Sequence, residues 1–152
     1  MKLQTSSRIA IYAVLELARD PTRQLPAAGI GEAYGVSIHH LAKVLNTLVR
    51  SGLVKSVRGA GGGYLFTGSV KRTTLLDIIS LFEPVEVSEG TSRREAETQG
   101  GMALQAILDE IDDISRATLN SVTLATMLKL IDQGRFDRAP GEAGGRAGEK
   151  RG

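Results

Sequence analysis

Cysteine is absent from this 152-residue chain. That excludes disulfides, thiolate nucleophiles and Cys-ligated zinc or iron–sulfur clusters. Tryptophan is absent too, and aromatic residues make up 4%, too few for the stacking platforms that hold single-stranded nucleic acid. Histidine is limited to two adjacent residues, His39 and His40. A catalytic triad or a His-rich metal site would have to be built on that pair. Neighbours on a helix point about 100° apart, which chelates one ion poorly, so no metal site is expected. The carboxylates Asp109, Glu110, Asp112 and Asp113 read as a solvated acidic helix face. No set of nucleophile, base and orienting group can be assembled, so the chain is expected not to be an enzyme. No apolar run approaches the roughly 20 residues that cross a bilayer, and Met1-Lys2-Leu3-Gln4 does not open a signal peptide. The expected location is the cytoplasm, with no membrane partner.

What is present suffices for a packed domain. Apolar residues are 41% and charged residues 24%, the balance of a soluble globular protein. The net charge of +2 conceals an asymmetry. Residues 1–72 hold ten Lys/Arg against three Asp/Glu, a balance of +7. Residues 73–133 hold four against eleven, or −7, and residues 134–152 five against three, or +2. A basic part suits a polyanion, and an acidic part suits something else. The last stretch, 134–152, is Gly, Arg, Ala and Glu with almost nothing apolar, and is expected to be a disordered tail.

Thr5, Ser6 or Ser7 can cap a first helix that runs to about Asp20, where Pro21 stops it. Its apolar set is Ile9, Tyr12, Ala13, Leu15, Leu17 and Ala18 on one broad face. A short helix is expected near Ala27–Tyr34 behind Pro26. Gly35-Val36-Ser37 then turns the chain, with Ser37 as the N-cap of a third helix from Ile38 to about Ser51. Two helices joined by so short a Gly-containing turn form a helix-turn-helix. In the third helix Leu41, Val44, Leu45, Leu48 and Val49 make the buried stripe. The opposite face carries His39, His40, Lys43, Asn46, Thr47 and Arg50, none of them acidic. A major groove accepts such a helix; Lys43 can donate to guanine, and Asn46 to a base or a phosphate.

Gly52 ends the helix, and residues 53–57 and 64–66 read as two short strands around Arg58-Gly59-Ala60-Gly61-Gly62-Gly63. A hairpin directly after a helix-turn-helix is a wing. Arg58 at its tip suits a narrow minor groove, and Gly59 and Gly61 remove bulk that would block entry. A phosphate loop is the rival reading. It fails because no Gly-Lys-Ser/Thr follows, and Tyr64 stands where G-x-G-x-x-G needs its last glycine. Ser6, Ser7 and Arg8 at the first helix's start, and Ser37, are candidate phosphate contacts, since helix N-termini bind anions.

Thr74-Leu75-Leu76-Asp77 is a capping pattern for a helix to about Phe82. Pro84 to Gly101 lacks apolar periodicity and reads as a long surface loop. From Met102 the helical period returns, with Leu104, Ile107, Leu108, Ile111, Ile114 and Thr118 on one stripe. That stripe is long for one small domain to cover, so a second copy is expected against it. Thr123 can cap a last short helix through Leu130.

Val36-Ser37-Ile38-His39-His40-Leu41-Ala42-Lys43-Val44-Leu45, Ser51-Gly52-Leu53-Val54 and above all Ser56-Val57-Arg58-Gly59-Ala60-Gly61-Gly62-Gly63-Tyr64 resemble the bacterial Rrf2 winged-helix regulators. Thr74-Leu75-Leu76-Asp77-Ile78-Ile79 and Val122-Thr123-Leu124-Ala125 sit in that family's order, and the resemblance spans about residues 1–132. It implies a homodimer with two winged helices, a long crossed dimerisation helix and a pseudo-palindromic promoter site. His40-Leu41-Ala42-Lys43-Val44 looks nearest the nitric-oxide-sensitive repressor branch. Ala42 stands where the iron–sulfur biogenesis regulators often carry a site-selecting Glu, so their site preference does not transfer. Many members hold a cluster through three cysteines in the loop before the long helix. Here that loop has none, which argues against the cofactor. The Cys-free relatives that answer to a partner enzyme or a small ligand are the better analogy.

The expected fold is therefore mainly α with a small β-hairpin wing: a winged helix-turn-helix domain (1–72), then a linker helix, sensor-like loop and dimerisation helices (73–133). The expected function is a DNA-binding transcriptional regulator, a repressor, acting as a homodimer on double-stranded DNA. The alternative is a protein-interaction or small-ligand sensor module whose DNA binding is weak or lost.

Overall fold

The computed structural model describes residues 1–86 and 91–134. Its elements follow in the order α1 (Thr5–Arg19), α2 (Ala27–Tyr34), α3 (Ile38–Ser51), β1 (Val54–Val57), β2 (Gly63–Phe66), α4 (Leu75–Ile79), α5 (Arg93–Ala96), α6 (Gln99–Ser121) and α7 (Leu124–Asp132). This is the expected mainly helical architecture with a hairpin wing. The tail expected over 134–152 lies, beyond Gly134, outside the described residues.

Helix α1 is the centre of the core. The sequence suggests one buried face, but Ile11 and Val14 are buried as well as Ile9, Ala13 and Leu17. The reason is enclosure: α2, α3, α4, α7 and β2 all pack on it, and a helix apolar on most sides is one buried on most sides. Ile78 and Ile79 of α4, Val85 and Leu124 of α7 join the same core. Residues on either side of position 72 thus share one interior.

The start of α1 also differs from expectation. None of Thr5, Ser6 or Ser7 is the N-cap; Gln4 is, and its side chain makes no capping bond. The acceptor comes from afar, as Glu83 Oε2 takes the Gln4 N–H at 2.8 Å. At the other end Asp20 Oδ1 accepts from the Thr22 hydroxyl at 2.6 Å and from its N–H at 3.1 Å. Those bonds, the side-chain one foremost, hold the Asp20 carboxyl below its usual value.

Strands β1 and β2 pair antiparallel, Val54 opposite Phe66 and Val57 opposite Gly63. A bridge absent from the sequence reading adds Leu25 to the hairpin: its N–H donates to Tyr64 O at 3.1 Å, and Tyr64 N–H donates back at 2.9 Å. Gly63 permits this approach, since a Cβ there would stand 2.5 Å from the Leu25 carbonyl oxygen.

Helix α4 begins at the expected capping box, with Thr74 and Asp77 bonding reciprocally. It is shorter than expected, because Phe82 N–H turns back to Ile79 O in a tighter turn. The segment expected as one loop to Gly101 is not all loop. Ser92 and Glu95 form a second capping box at the head of α5, and Thr98 caps α6 by accepting from Gly101 N–H at 2.9 Å. Ser92-x-x-Glu95 is a capping pattern, but no apolar run follows it, so the absence of periodicity alone reads the segment as loop. Gly101 has no room for a Cβ, which would run into the Glu95 carbonyl.

Helix α6 spans 23 residues and buries none of them. Only its last turns meet the core, where Leu119 packs and Leu75 N–H donates to Val122 O at 2.9 Å. Thr123 then caps α7 as expected.

Candidate nucleic-acid interface

Helix α2 ends at Gly35 in the left-handed region (φ 63°), a conformation that suits glycine. Two residues later Ser37 Oγ accepts from His40 N–H at 3.2 Å and starts α3. Leu41, Val44, Leu45 and Leu48 are buried, which fixes how α3 is rotated about its axis. His39, Lys43, Asn46 and Arg50 are exposed on the other side. Their spacing of four, three and four residues puts them in one row. The helix contains no acidic residue. It therefore offers a continuous donor-rich, non-negative edge over three turns.

The two histidines differ in role. His39 is exposed, whereas His40 is half-buried and shares a hydrogen bond between its Nε2 and Ser6 Oγ at 3.0 Å. That bond ties the first turn of α1 to the first turn of α3. Thr5, Arg8, Ser37 and His40 line one open cavity of about 280 Å³ between the two helices. Ile9, Tyr12 and Tyr34 also line it; the Arg8 cation and the N-terminus of α3 on one concavity suit an anion. Ser7 needs correction. It is fully buried and its hydroxyl donates to Glu83 Oε2. It faces the interior, three residues on from Gln4 along the helix, and presents nothing to a ligand. Glu83 itself carried no sequence signal, because it meets Ser7 from 76 positions away.

Arg58 is exposed at the end of β1. Gly59 (φ 110°) and Gly61 (φ 77°) take left-handed backbone in the tip, where other residues are strained. Gly62 has no room for a side chain: a Cβ there would lie 2.6 Å from the Val57 carbonyl oxygen and 2.8 Å from that of Gly59. The tip is thus narrow by necessity, with Arg58 as its cation.

The residues expected to pair two copies lie along α6. Leu104, Ile107, Ile111 and Ile114 are 55, 60, 40 and 59% exposed, and Leu108 is half-buried. Among the described residues no group of His, Cys, Asp or Glu could hold a metal ion, and no helix is long and apolar enough to cross a membrane.

Residues 3–130 match the family model Rrf2, described as an iron-dependent transcriptional regulator. The chain is 47% identical over 150 residues to BadM of Rhodopseudomonas palustris, named as an HTH-type transcriptional regulator, covering 96% of this chain and 94% of that protein. Among solved structures, IscR of T. potens superposes with a TM-score of 0.72 at 26% identity, covering 91% of this chain and 94% of that one. CymR, the global cysteine regulator of B. subtilis, gives 0.67 at 29% identity, covering 86% and 98%.

Proposed function

The chain belongs to the Rrf2 family of transcriptional regulators, and from that premise we propose how it reads DNA: as a homodimer, with α3 in the major groove and the wing tip in the minor groove of each half of a pseudo-palindromic promoter site. It is a DNA-binding regulator, as its relatives are regulators. His39, Lys43 and Asn46 face base edges, and Arg50 reaches the backbone at the far end of the row. Arg58 enters the minor groove, with Gly59 and Gly61 keeping the tip slim. Arg8, Ser37 and His40 take phosphates at the cavity between α1 and α3, where Ser6 holds the His40 ring. The acid-free exposed row on α3, set opposite the buried Leu41, Val44, Leu45 and Leu48, carries the reading.

Two copies pair through α6. Covering an Ile or Leu is worth about 1.5–3 kcal/mol per side chain before the costs of association. We take the protein to be a repressor that occupies its promoter against other factors, and to act in the cytoplasm. The proposed division at residue 72 is one of surface roles, since the core is common to both sides.

The family's iron does not fit this chain. There is no cysteine, and Ser92 and Glu95, in the segment before α6, are committed to a capping box. The signal is therefore assigned to something other than a resident cluster, a partner protein or a small ligand.

Selection of random duplexes by the purified full-length protein tests the proposal. An enriched inverted repeat, with half-sites a helical turn or a multiple apart, is the expected result. No enriched sequence would favour the interaction-module reading and sink this one.

A further inference from the structure

We infer that Glu83 is a positioning residue for DNA recognition: it clamps the first turn of α1, and through Ser6 that turn holds the His40 ring of the recognition helix. The first turn of α1 has no acidic residue and no side-chain cap. Its unpaired N–H groups and positive dipole end therefore need an acceptor from elsewhere. Glu83 Oε2 supplies it, taking both the Gln4 N–H at 2.8 Å and the Ser7 hydroxyl. Bonds to a carboxylate are about twice as strong as neutral ones. Glu83 is itself held: its N–H donates to Ile79 O at 3.1 Å, and Val85, two residues on, is buried in the core. From the same turn of α1, Ser6 meets His40 Nε2 at 3.0 Å. A short series of polar contacts thus runs from the segment after α4 to the first turn of α3.

A bare negative charge near the interface would instead repel DNA, and the two roles differ in sign. The inference rests on α3 being the DNA-reading helix, so Lys43→Ala and Arg58→Ala serve as controls. Full-length variants are titrated onto the selected operator by fluorescence anisotropy. Glu83→Ala is expected to weaken binding about tenfold, while Glu83→Gln, which keeps an acceptor oxygen, stays within about threefold of wild type. Ser6→Ala is expected to lose as much as Glu83→Ala, and the double variant no more than either. The His40 ring nitrogen signal in NMR is expected to shift in Glu83→Ala. Should circular dichroism show Glu83→Ala unfolded, Ser7→Ala replaces it, with the same His40 shift expected. Additive losses, an unmoved His40 signal, or tighter binding by both Glu83 variants would overturn the inference. Controls that bind like wild type would overturn the interface reading instead; weakened controls beside an unchanged Glu83→Ala would overturn the clamp alone.

Discussion

The rings of Tyr12 and Tyr34 stack with centroids 4.6 Å apart and planes within 3° of parallel. The pair locks α1 to α2, and the Tyr34 hydroxyl extends the lock by donating to Glu16 Oε1 at 2.9 Å. Burial, then the hydrogen bond to Glu16, pushes the Tyr34 phenol up to about 12 from its ordinary 10.0. Folding thus favours the protonated phenol. Its contribution is complete below pH 10.0 and is lost as pH rises towards 12. Difference absorbance of wild type against Tyr34→Phe is expected to isolate a phenol ionising near pH 12. The substitution is expected to lower stability by about 1 kcal/mol in urea melts.

Arg58 and Lys43 are expected to fail differently. Arg58→Ala weakens operator binding and relaxes the preference for narrow, A·T-rich minor groove. Lys43→Ala costs about 1–3 kcal/mol at the base it reads and loosens selectivity there. Binding of the wild type falls steeply with salt; each phosphate contact removed lowers the slope of log K against log salt by about 0.9. Anisotropy titrations across a salt series read all three. A flat salt response would rule out phosphate-dominated docking.

Ile107 and Ile114 are 60% and 59% exposed, so a charge at either leaves the isolated fold untouched. In a dimer paired through α6 the same charge is buried and unpaired. Ile107→Glu is expected to weaken pairing by about a hundredfold or more, since such a charge costs several kcal/mol. Light scattering during gel filtration checks this. A variant that keeps the wild-type mass would remove α6 from the interface.

The corner between α5 and α6 hangs on Glu95 and Gly101. Hydrogen bonding by Ser92, through its side chain and then its backbone, holds the Glu95 carboxyl below the usual 4.5. Folding favours the ionised form, so its contribution is present above pH 4.5 and is lost as pH falls through the lower folded value. Carbon chemical shifts of residues 92–98 are expected to lose their helical character there before the core yields. Gly101→Ala is expected to produce the same local change at neutral pH, because its Cβ would displace the Glu95 carbonyl.

The helix-turn-helix and the wing were legible because local and tertiary demands coincide there. Ser37 caps α3, Gly52 closes it at φ 83°, and the stripe from Leu41 to Leu48 is the face the core takes. The elements that escaped are those made by distance. The N-terminus of α1 looked like a self-capped start open to phosphate. Its partner Glu83 lies 76 residues from Ser7, and no window along the chain contains both. The Leu25–Tyr64 bridge escaped for the same reason. Helix α5 was missed on other grounds: its signature is polar, all four of its residues are exposed, and hydrophobic periodicity cannot see it. The two adjacent histidines looked equivalent, and only packing distinguishes the tethered ring from the outward one.

Helix α6 carries its exposed row, 102 to 114, where no core residue of its own chain leans on it. Changes along that row leave the interior of the monomer as it was. In a dimer paired through α6, as proposed, selection for a stable fold and selection for the right mate would therefore act on separate residues. After a duplication, two sister proteins so paired could drift apart in whom they pair with, while both keep the same helix-turn-helix and wing.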